Sequence, residues 1–406
     1  MDASLLIVGA GPAGLLAALA AARRRPPHGV LVVDRLPVPG AKLAASGGGR
    51  GNLSHLASEE EFAAAFGRHG RFTIPAFRAL PPEDLRGLLA GVGVPTVVDD
   101  AGRVYPRSQS AAQVRDALVA AGARAGVRFA GDHAVQSLAP PDAPDAPWRV
   151  DSWSAQAVLL AAGGQSAPRL GSDGSGFALA RALGHDLVPP VPALTSLRTV
   201  EEWPATLSGL SLPDVGLSLA GHREAGGRGE LLFTHRGVSG PAVLNLSGRV
   251  ARLLHAGEDV VLRLELLREA PDFQALRREA GSRTVLPWLA RQLPRALAST
   301  LLDLAGIPAD QTFARLAAAL EKALSGALTA LPLRIRGTGG FDDSMATAGG
   351  VALKTVRPDT LASRLAPRLF FAGEILDLDG PTGGWNLHWA FCSGHLAGTS
   401  ALPPPA

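Results

Sequence analysis

Short apolar runs bounded by glycine dominate the two ends of the chain. Leu5-Leu6-Ile7-Val8 and Val30-Leu31-Val32-Val33 are continuous apolar stretches of the kind that form strands buried on both faces of a parallel sheet. Between them the Ala/Leu-rich run Leu15–Ala22 predicts a helix. Ala157-Val158-Leu159-Leu160-Ala161-Ala162 predicts a third buried strand, stopping on Gly163-Gly164, and a helix follows over Phe177–Leu183. Leu369-Phe370-Phe371 predicts a fourth strand. Beyond Gly383-Gly384, the segment from Trp385 to Phe391 predicts an amphipathic helix. In the middle of the chain the pattern changes. Val260–Leu266 and Leu331–Arg336 alternate as half-buried strands, and 269–330 is rich in Ala, Leu, Arg and Glu at helical spacing. Pro140–Pro147 predicts a surface loop between strands, and Pro403-Pro404-Pro405 a frayed tail.

The first two strands frame Gly9-Ala10-Gly11-Pro12-Ala13-Gly14, and the second ends on Asp34, twenty residues after Gly14. Strand, G-x-G-x-x-G, helix, strand, acid is the order of a dinucleotide-binding fold. Gly9 permits the tight turn, Gly11 lets backbone approach a diphosphate, and Gly14 allows the helix to pack on the strand. The helix N-terminus offers free N–H groups to phosphate. Asp34 stands where a carboxylate takes both hydroxyls of an adenosine ribose, which disfavours a 2′-phosphate there. A second glycine-rich stretch runs Gly40-Ala41-Lys42-Leu43 to Ser46-Gly47-Gly48-Gly49-Arg50-Gly51-Asn52. Its glycines allow close approach to a flat or anionic ligand, and Lys42 and Arg50 add charge suited to a diphosphate or a reduced flavin. The helix predicted to begin near Gly384-Asn386 can aim its positive dipole end at the pyrimidine edge of a flavin.

With these segments in view, the chain resembles a family of bacterial NAD(P)/FAD-dependent oxidoreductase flavoproteins, including aminoacetone-oxidase-like and bile-acid dehydro-reductase-like members. The resemblance rests on residues 9–14 with Asp34, on 40–52, on 161–164 with 170–176, on 372–394 and on the internal block 229–241; about 265–330 matches no motif. It implies a glutathione-reductase-like, Rossmann-like FAD-binding α/β domain with an inserted β-barrel-like domain and a nested helical subdomain. The expected boundaries are 1–188 with 346–406 for the FAD domain, 189–268 with 331–345 for the barrel, and 269–330 for the helices. The cofactor-binding residues expected are Gly9, Gly11, Ala13, Gly14, Asp34, Arg35, Lys42, Leu43, Ser46, Gly47, Gly48, Gly49, Asn52, Ala162, Gly163, Gly164, Gly373, Glu374, Gly384 and Asn386. Relatives usually carry Cys after the Arg of the glycine run, whereas this chain has Gly51, so a thiol–flavin adduct is unavailable at that position.

Composition narrows the chemistry. The chain has 406 residues, 47% of them hydrophobic and 18% charged, enough for a sizeable core. Its net charge is +3 and its pI 9.6; almost all the positive charge is Arg, since only Lys42, Lys322 and Lys354 are lysines. Acids and bases nearly balance and no basic stripe stands out, so no nucleic-acid partner is expected. The single Cys392 excludes an intrachain disulfide, a Cys-rich zinc site and a two-cysteine redox centre, and the ten scattered His predict no metal site. The uncharged run Ala3–Ala22 has the length of a membrane span, but only Asp2 precedes it and Gly9, Gly11, Pro12 and Gly14 break it, so a soluble cytoplasmic protein is expected. His235 and His388 are weak candidates for an acid or base. The function expected is FAD-dependent oxidation or reduction of a small organic substrate, with NAD(P)H as transient electron donor or oxygen as partner. The alternative is a flavin-binding protein without turnover of its own, serving RNA modification, redox sensing or assembly.

Overall fold

The computed structural model describes residues 2–24 and 29–402, with backbone alone at 223 and 224; the terminal prolines 403–405 lie outside the described residues. The chain forms two compact units, Met1–Ala193 with Phe341–Ala406, and Leu194–Gly340.

In the first unit, β1 (Ala3–Val8), β2 (Val30–Val33), β3 (Arg128–Ala130), β4 (Trp153–Leu160) and β5 (Leu369–Phe371) build the parallel part of a seven-stranded sheet, in the order β3-β2-β1-β4-β5, and the helix α1 (Pro12–Ala22) connects β1 to β2. The pairing is in register across it, with Leu6 opposite Leu31 on one side and Val158 on the other. A short antiparallel hairpin, Leu138–Ala139 with Trp148–Val150, adds to the first half of β4; its connection is the expected proline-rich loop. The interior strands are apolar throughout because both faces are covered. β2 is buried at every position, and so is α1 from Ala13 to Ala21.

The last helix, α2 (Trp385–Ala401), covers α1. It is not the amphipathic helix expected from its first turns, for most of its length is buried. Gly394 and Gly398, one turn apart, lie against the backbone of α1: a Cβ on them would stand 2.1 Å from the Ala13 carbonyl oxygen and 2.2 Å from that of Ala17. Small residues on both helices therefore set their separation. Two further differences from expectation are local. α1 begins at Pro12, which is pre-set for the first helical position, and the helix expected over 177–183 spans Ser175–Ala182.

The second unit is a closed six-stranded barrel, in the order 197–199, 237–239, 222–234, 211–219, 260–265, 331–338. Leu331, Leu333 and Ile335 point inward while Pro332, Arg334 and Arg336 point outward, the alternation a closed sheet requires. The helices over 273–329 share this barrel's apolar core, with Leu297, Leu301, Phe313 and Leu328 in one cluster with Phe233, Leu262 and Leu333. They lie in one compact unit with the barrel. The chain passes between the two units at 193/194 and 340/341, where 188/189 and 345/346 were expected. The reason is that Leu187–Ala193 pairs antiparallel with Ala346–Val351, which keeps both crossing segments in the first unit.

Candidate cofactor site

The candidate residues collect at the C-terminal ends of the parallel strands, where open α/β sheets bind ligands. After β1 the chain turns through Gly9–Gly14. A Cβ on Gly9 would lie 2.5 Å from the Ala161 carbonyl oxygen and one on Gly14 only 1.9 Å from that of Gly9, so both are fixed by packing. Around Gly11, among the described residues, nothing stands within 4 Å of an added Cβ: this is the open approach a phosphate needs. Gly11 precedes α1 without a side-chain cap. Ala13 is buried under α2. At the end of β2, Asp34 accepts hydrogen bonds from the Ala10 N–H (2.6 Å, Oδ2) and the Leu36 N–H (2.8 Å, Oδ1). These fix the carboxylate beside the glycine turn, and a carboxylate has about four lone-pair positions, so capacity remains for ribose hydroxyls. Arg35 forms an ion pair with Asp173, a partner the sequence did not indicate.

The second glycine stretch follows a short helix, Ala41–Ala45, whose Leu43 is buried in the core. Residues Ser46–Gly49 make a tight turn. Gly48 and Gly49 have φ of +65° and +86°, and an added Cβ on either meets nothing within 4 Å among the described residues. The chain there is left-handed and open on its outer side. Ser46 Oγ and Asn52 Oδ1 are buried without a hydrogen-bond partner among the described residues, whereas buried polar atoms are nearly always satisfied. Arg50 lies over the ring of Tyr105, 5.4 Å from its centre. Gly51 is buried, with φ +79°; a Cβ there would sit 3.2 Å from Ala111 Cα and Cβ.

The third group joins segments far apart in the chain. Gly163 and Gly164 follow β4, beside half-buried Ala162; a Cβ on Gly164 would lie 2.3 Å from Thr347 Oγ1. Thr347 Oγ1 accepts from the Gln165 and Ser166 N–H groups (2.8 and 3.0 Å). Lys42 Nζ donates to Ser166 Oγ (2.5 Å) and to Glu374 Oε2 (2.6 Å). Glu374 Oε1 accepts from Ser166 Oγ (2.8 Å) and from the Thr347 N–H (2.5 Å). Lys42 and Glu374, expected separately at the cofactor, are thus each other's partners, and Ser166 and Thr347 complete a network the sequence reading missed. Its one local signal was the position of Ser166, two residues beyond the Gly163-Gly164 pair. Gly373 packs on Ala13 and donates its N–H to Ser393 Oγ (3.0 Å).

Three of the candidates lie at the last helix. A Cβ on Gly384 would strike the Ser54 carbonyl oxygen (2.4 Å) and Asn52 Oδ1 (2.7 Å), so the glycine is required by the close approach of the 52–54 segment. Asn386 does not cap the helix: its side chain accepts from the Gly380 N–H (2.8 Å) and donates to the Gly380 and Pro381 carbonyls (2.8 and 3.2 Å), tying down the loop before α2. His388 is 1% exposed, hydrogen-bonded to Ser54 Oγ (2.9 Å) and edged by the ring of Phe62. Burial pushes its pKa down to about 3, which keeps the imidazole neutral. The other candidate, His235, is exposed in a turn between barrel strands, and its unit is the second one. Burial pushes the Cys392 thiol up, away from thiolate chemistry. Among the described residues no group of three or more His, Cys, Asp or Glu could hold a metal ion, and no helix is long and apolar enough to cross a membrane.

The residues present fit a dinucleotide of the FAD type. Asp34 offers a fixed carboxylate, the turn at Gly11 an open phosphate approach, and the 46–52 segment an open backbone with two unsatisfied polar atoms.

Comparison with known proteins agrees with this. The chain is 33% identical to the 3-dehydro-bile acid delta(4,6)-reductase of Clostridium scindens, over 98% of this chain and 99% of that protein. It is 30% identical to the ribosomal RNA dihydrouridine synthase of Escherichia coli, over 96% of this chain and 95% of that one. Among solved structures, the 3-ketosteroid delta1-dehydrogenase of Sterolibacterium denitrificans shares the fold at a TM-score of 0.53 and 14% identity, each chain covered to 99%. A flavocytochrome c3 fumarate reductase does so at 0.51 and 18%, over 98% of this chain and 78% of that one. The family model for the HI0933-like protein Rossmann domain matches residues 3–400. With a Rossmann-type FAD-binding fold and a match over nearly its whole length, the chain belongs to the HI0933-like family.

Proposed function

We propose that the protein is an FAD-dependent oxidoreductase that reduces a carbon–carbon double bond conjugated to a carbonyl, with NAD(P)H as electron donor. The observation that carries the cofactor reading is the pair of buried, unpartnered atoms, Ser46 Oγ and Asn52 Oδ1, in a segment whose glycines leave open space. Bound there, FAD supplies the two-electron chemistry. The chain's own part is to hold the adenosine ribose on Asp34, to receive the diphosphate at the Gly9–Gly14 turn and the N-terminus of α1, and to present the half-buried Lys42 and Glu374, held by the buried Ser166. No second G-x-G-x-x-G follows in the sequence, so NAD(P)H would meet the cofactor directly and not through a domain of its own.

The substrate class is supported by what the relatives' names have in common. One is named as a reductase of a 3-dehydro-bile acid, the other as a synthase of dihydrouridine in ribosomal RNA. A 3-oxo-4,6-diene and a uracil ring share one reacting unit, a C=C bond in conjugation with C=O. Reduction of a uracil in RNA is the second reading, favoured by the 30% identity to the Escherichia coli protein over 96% of this chain.

The test is an anaerobic one. The FAD-loaded protein is reduced with NADPH or NADH, then mixed with a 3-oxo-4-ene steroid, a 3-oxo-4,6-diene steroid or a uridine-containing ribosomal RNA fragment. Reoxidation of the flavin with formation of the dihydro product is expected for one class, and the class that reacts separates the two readings. Reduced FAD that persists with all of them leaves a cofactor-binding protein without this activity.

A further inference from the structure

Strand order places the Lys42 network relative to any dinucleotide on this sheet. Asp34 ends β2, the Gly9–Gly14 turn follows β1, Gly163–Ser166 follow β4 and Glu374 follows β5. With the adenosine ribose at Asp34 and the diphosphate at the β1 turn, the other half of the cofactor extends over the ends of β4 and β5. That half carries the redox-active ring, and the Lys42–Glu374 ion pair is joined to both of those ends through Ser166 and Glu374. We propose that Lys42 is the cation that faces the redox-active ring of the bound cofactor and favours its anionic reduced form. Ser166 and Glu374 are positioning residues that hold the ammonium and set how much of its charge the ring feels. The inference rests on the FAD reading above.

The geometry supports this division of roles. An ammonium has three donors, and two are engaged by Ser166 Oγ (2.5 Å) and Glu374 Oε2 (2.6 Å), which leaves one for a ligand. The pair is neither sealed nor solvated, with side chains 24% and 23% exposed, so its field is only partly screened. Glu374 is itself fixed by Ser166 Oγ (2.8 Å) and the Thr347 N–H (2.5 Å), so the ammonium is anchored to a rigid acceptor. Reduction by NAD(P)H adds one hydride, two electrons with one proton, and takes a neutral ring to an anion while the donor becomes NAD(P)+. Protein charge beside the ring therefore acts on one oxidation state and not the other, and it moves the midpoint potential.

The test needs no substrate. The potential of bound FAD is measured by anaerobic dye-equilibrated titration in the wild-type protein and in Lys42→Met, Lys42→Arg and Glu374→Gln. Lys42→Met is expected to lose about tenfold in its preference for reduced over oxidised cofactor, which for a two-electron couple is a fall of about 30 mV. Lys42→Arg restores most of it. Glu374→Gln removes the compensating carboxylate and raises the potential. An unchanged potential in Lys42→Met with FAD still bound overturns the proposal and leaves the pair as a clasp between chain segments. If Lys42→Met sheds its FAD, Glu374→Gln decides alone: a rise supports the proposal, and no change or a fall overturns it. A wild-type protein that binds no FAD fails the cofactor reading itself, before any variant is made.

Discussion

The two glycine stretches of the first unit look alike in sequence, yet their glycines have different surroundings. Gly9 and Gly14 are pressed against backbone, so that an added Cβ would come within 2.5 and 1.9 Å of carbonyl oxygens; Gly48 and Gly49 face open space. Those two positions of the first stretch let the protein pack on itself, while Gly11 between them stays open. The second exposes backbone to whatever approaches from outside. Glycine content alone does not mark a ligand site; the surroundings of the missing Cβ do.

The largest effect should fall on the packed side. Gly14→Val puts a branched side chain into the Gly9 carbonyl, which only a shift of α1 off β1 can relieve. We expect a loss of about 3 kcal/mol or more in denaturant unfolding, and Gly394→Val should behave alike from the other helix. Wild-type stability in either variant would break the distinction.

His388 tests the packed side through pH. Its pKa is pushed from the ordinary 6.5 to about 3, so below pH 6.5 the unfolded chain binds a proton that the folded one does not. Stability is therefore full above about pH 6.5 and declines as pH falls towards 3, by about 1.4 kcal/mol per pH unit from this group. His185 and His395 are shifted down by burial as well and steepen the decline. His388→Gln should reduce the slope between pH 6 and 4 by one proton's share. An identical slope would mean that the imidazole is not held neutral.

On the open side, Gly48→Ala has room but must adopt a left-handed backbone, which costs about 1 kcal/mol. The sharper readout is FAD affinity: it should fall at least tenfold beyond any change in melting temperature, because the methyl group occupies the approach. Unaltered affinity would reduce the run to a backbone turn. The smallest effect is expected for Asn386→Ala. It removes hydrogen bonds to Gly380 and Pro381, a loss of about 1 kcal/mol, and should leave the potential of bound FAD where it was. A shifted potential would place Asn386 at the cofactor.

Much of this was legible in the sequence, for local reasons. Strands β1, β2, β4 and β5 read as apolar runs because their sheet is covered on both faces, and the Gly9–Gly14 turn with Asp34 carries a spacing set by one βαβ unit. The barrel strands were legible where they alternate, as at Leu331–Arg336. What escaped depends on long-range contact. Lys42 and Glu374 lie 332 residues apart, and nothing near either names the other. The helices of 273–329 show which face is apolar, but their period does not say that the face closes onto barrel strands. Asn386 reads equally well as a cap, a ligand contact or a loop clasp until its partners are seen. Gly51 is the reverse case. The sequence flags it as a missing cysteine, and the structure adds that Ala111 crowds the place where the cysteine's Cβ would stand.

The most direct test of the account is binding itself. The flavin-stripped protein is titrated with FAD and with FMN, in the wild type and in Asp34→Ala. FAD is expected to bind and FMN, which lacks the adenosine ribose, to bind far more weakly. Asp34→Ala should lower FAD affinity by about 1–3 kcal/mol, the worth of a charged hydrogen-bond partner, and leave FMN unaffected. Equal affinity for FMN and FAD, or an Asp34→Ala variant that holds FAD as tightly as the wild type, would contradict the assignment of this site.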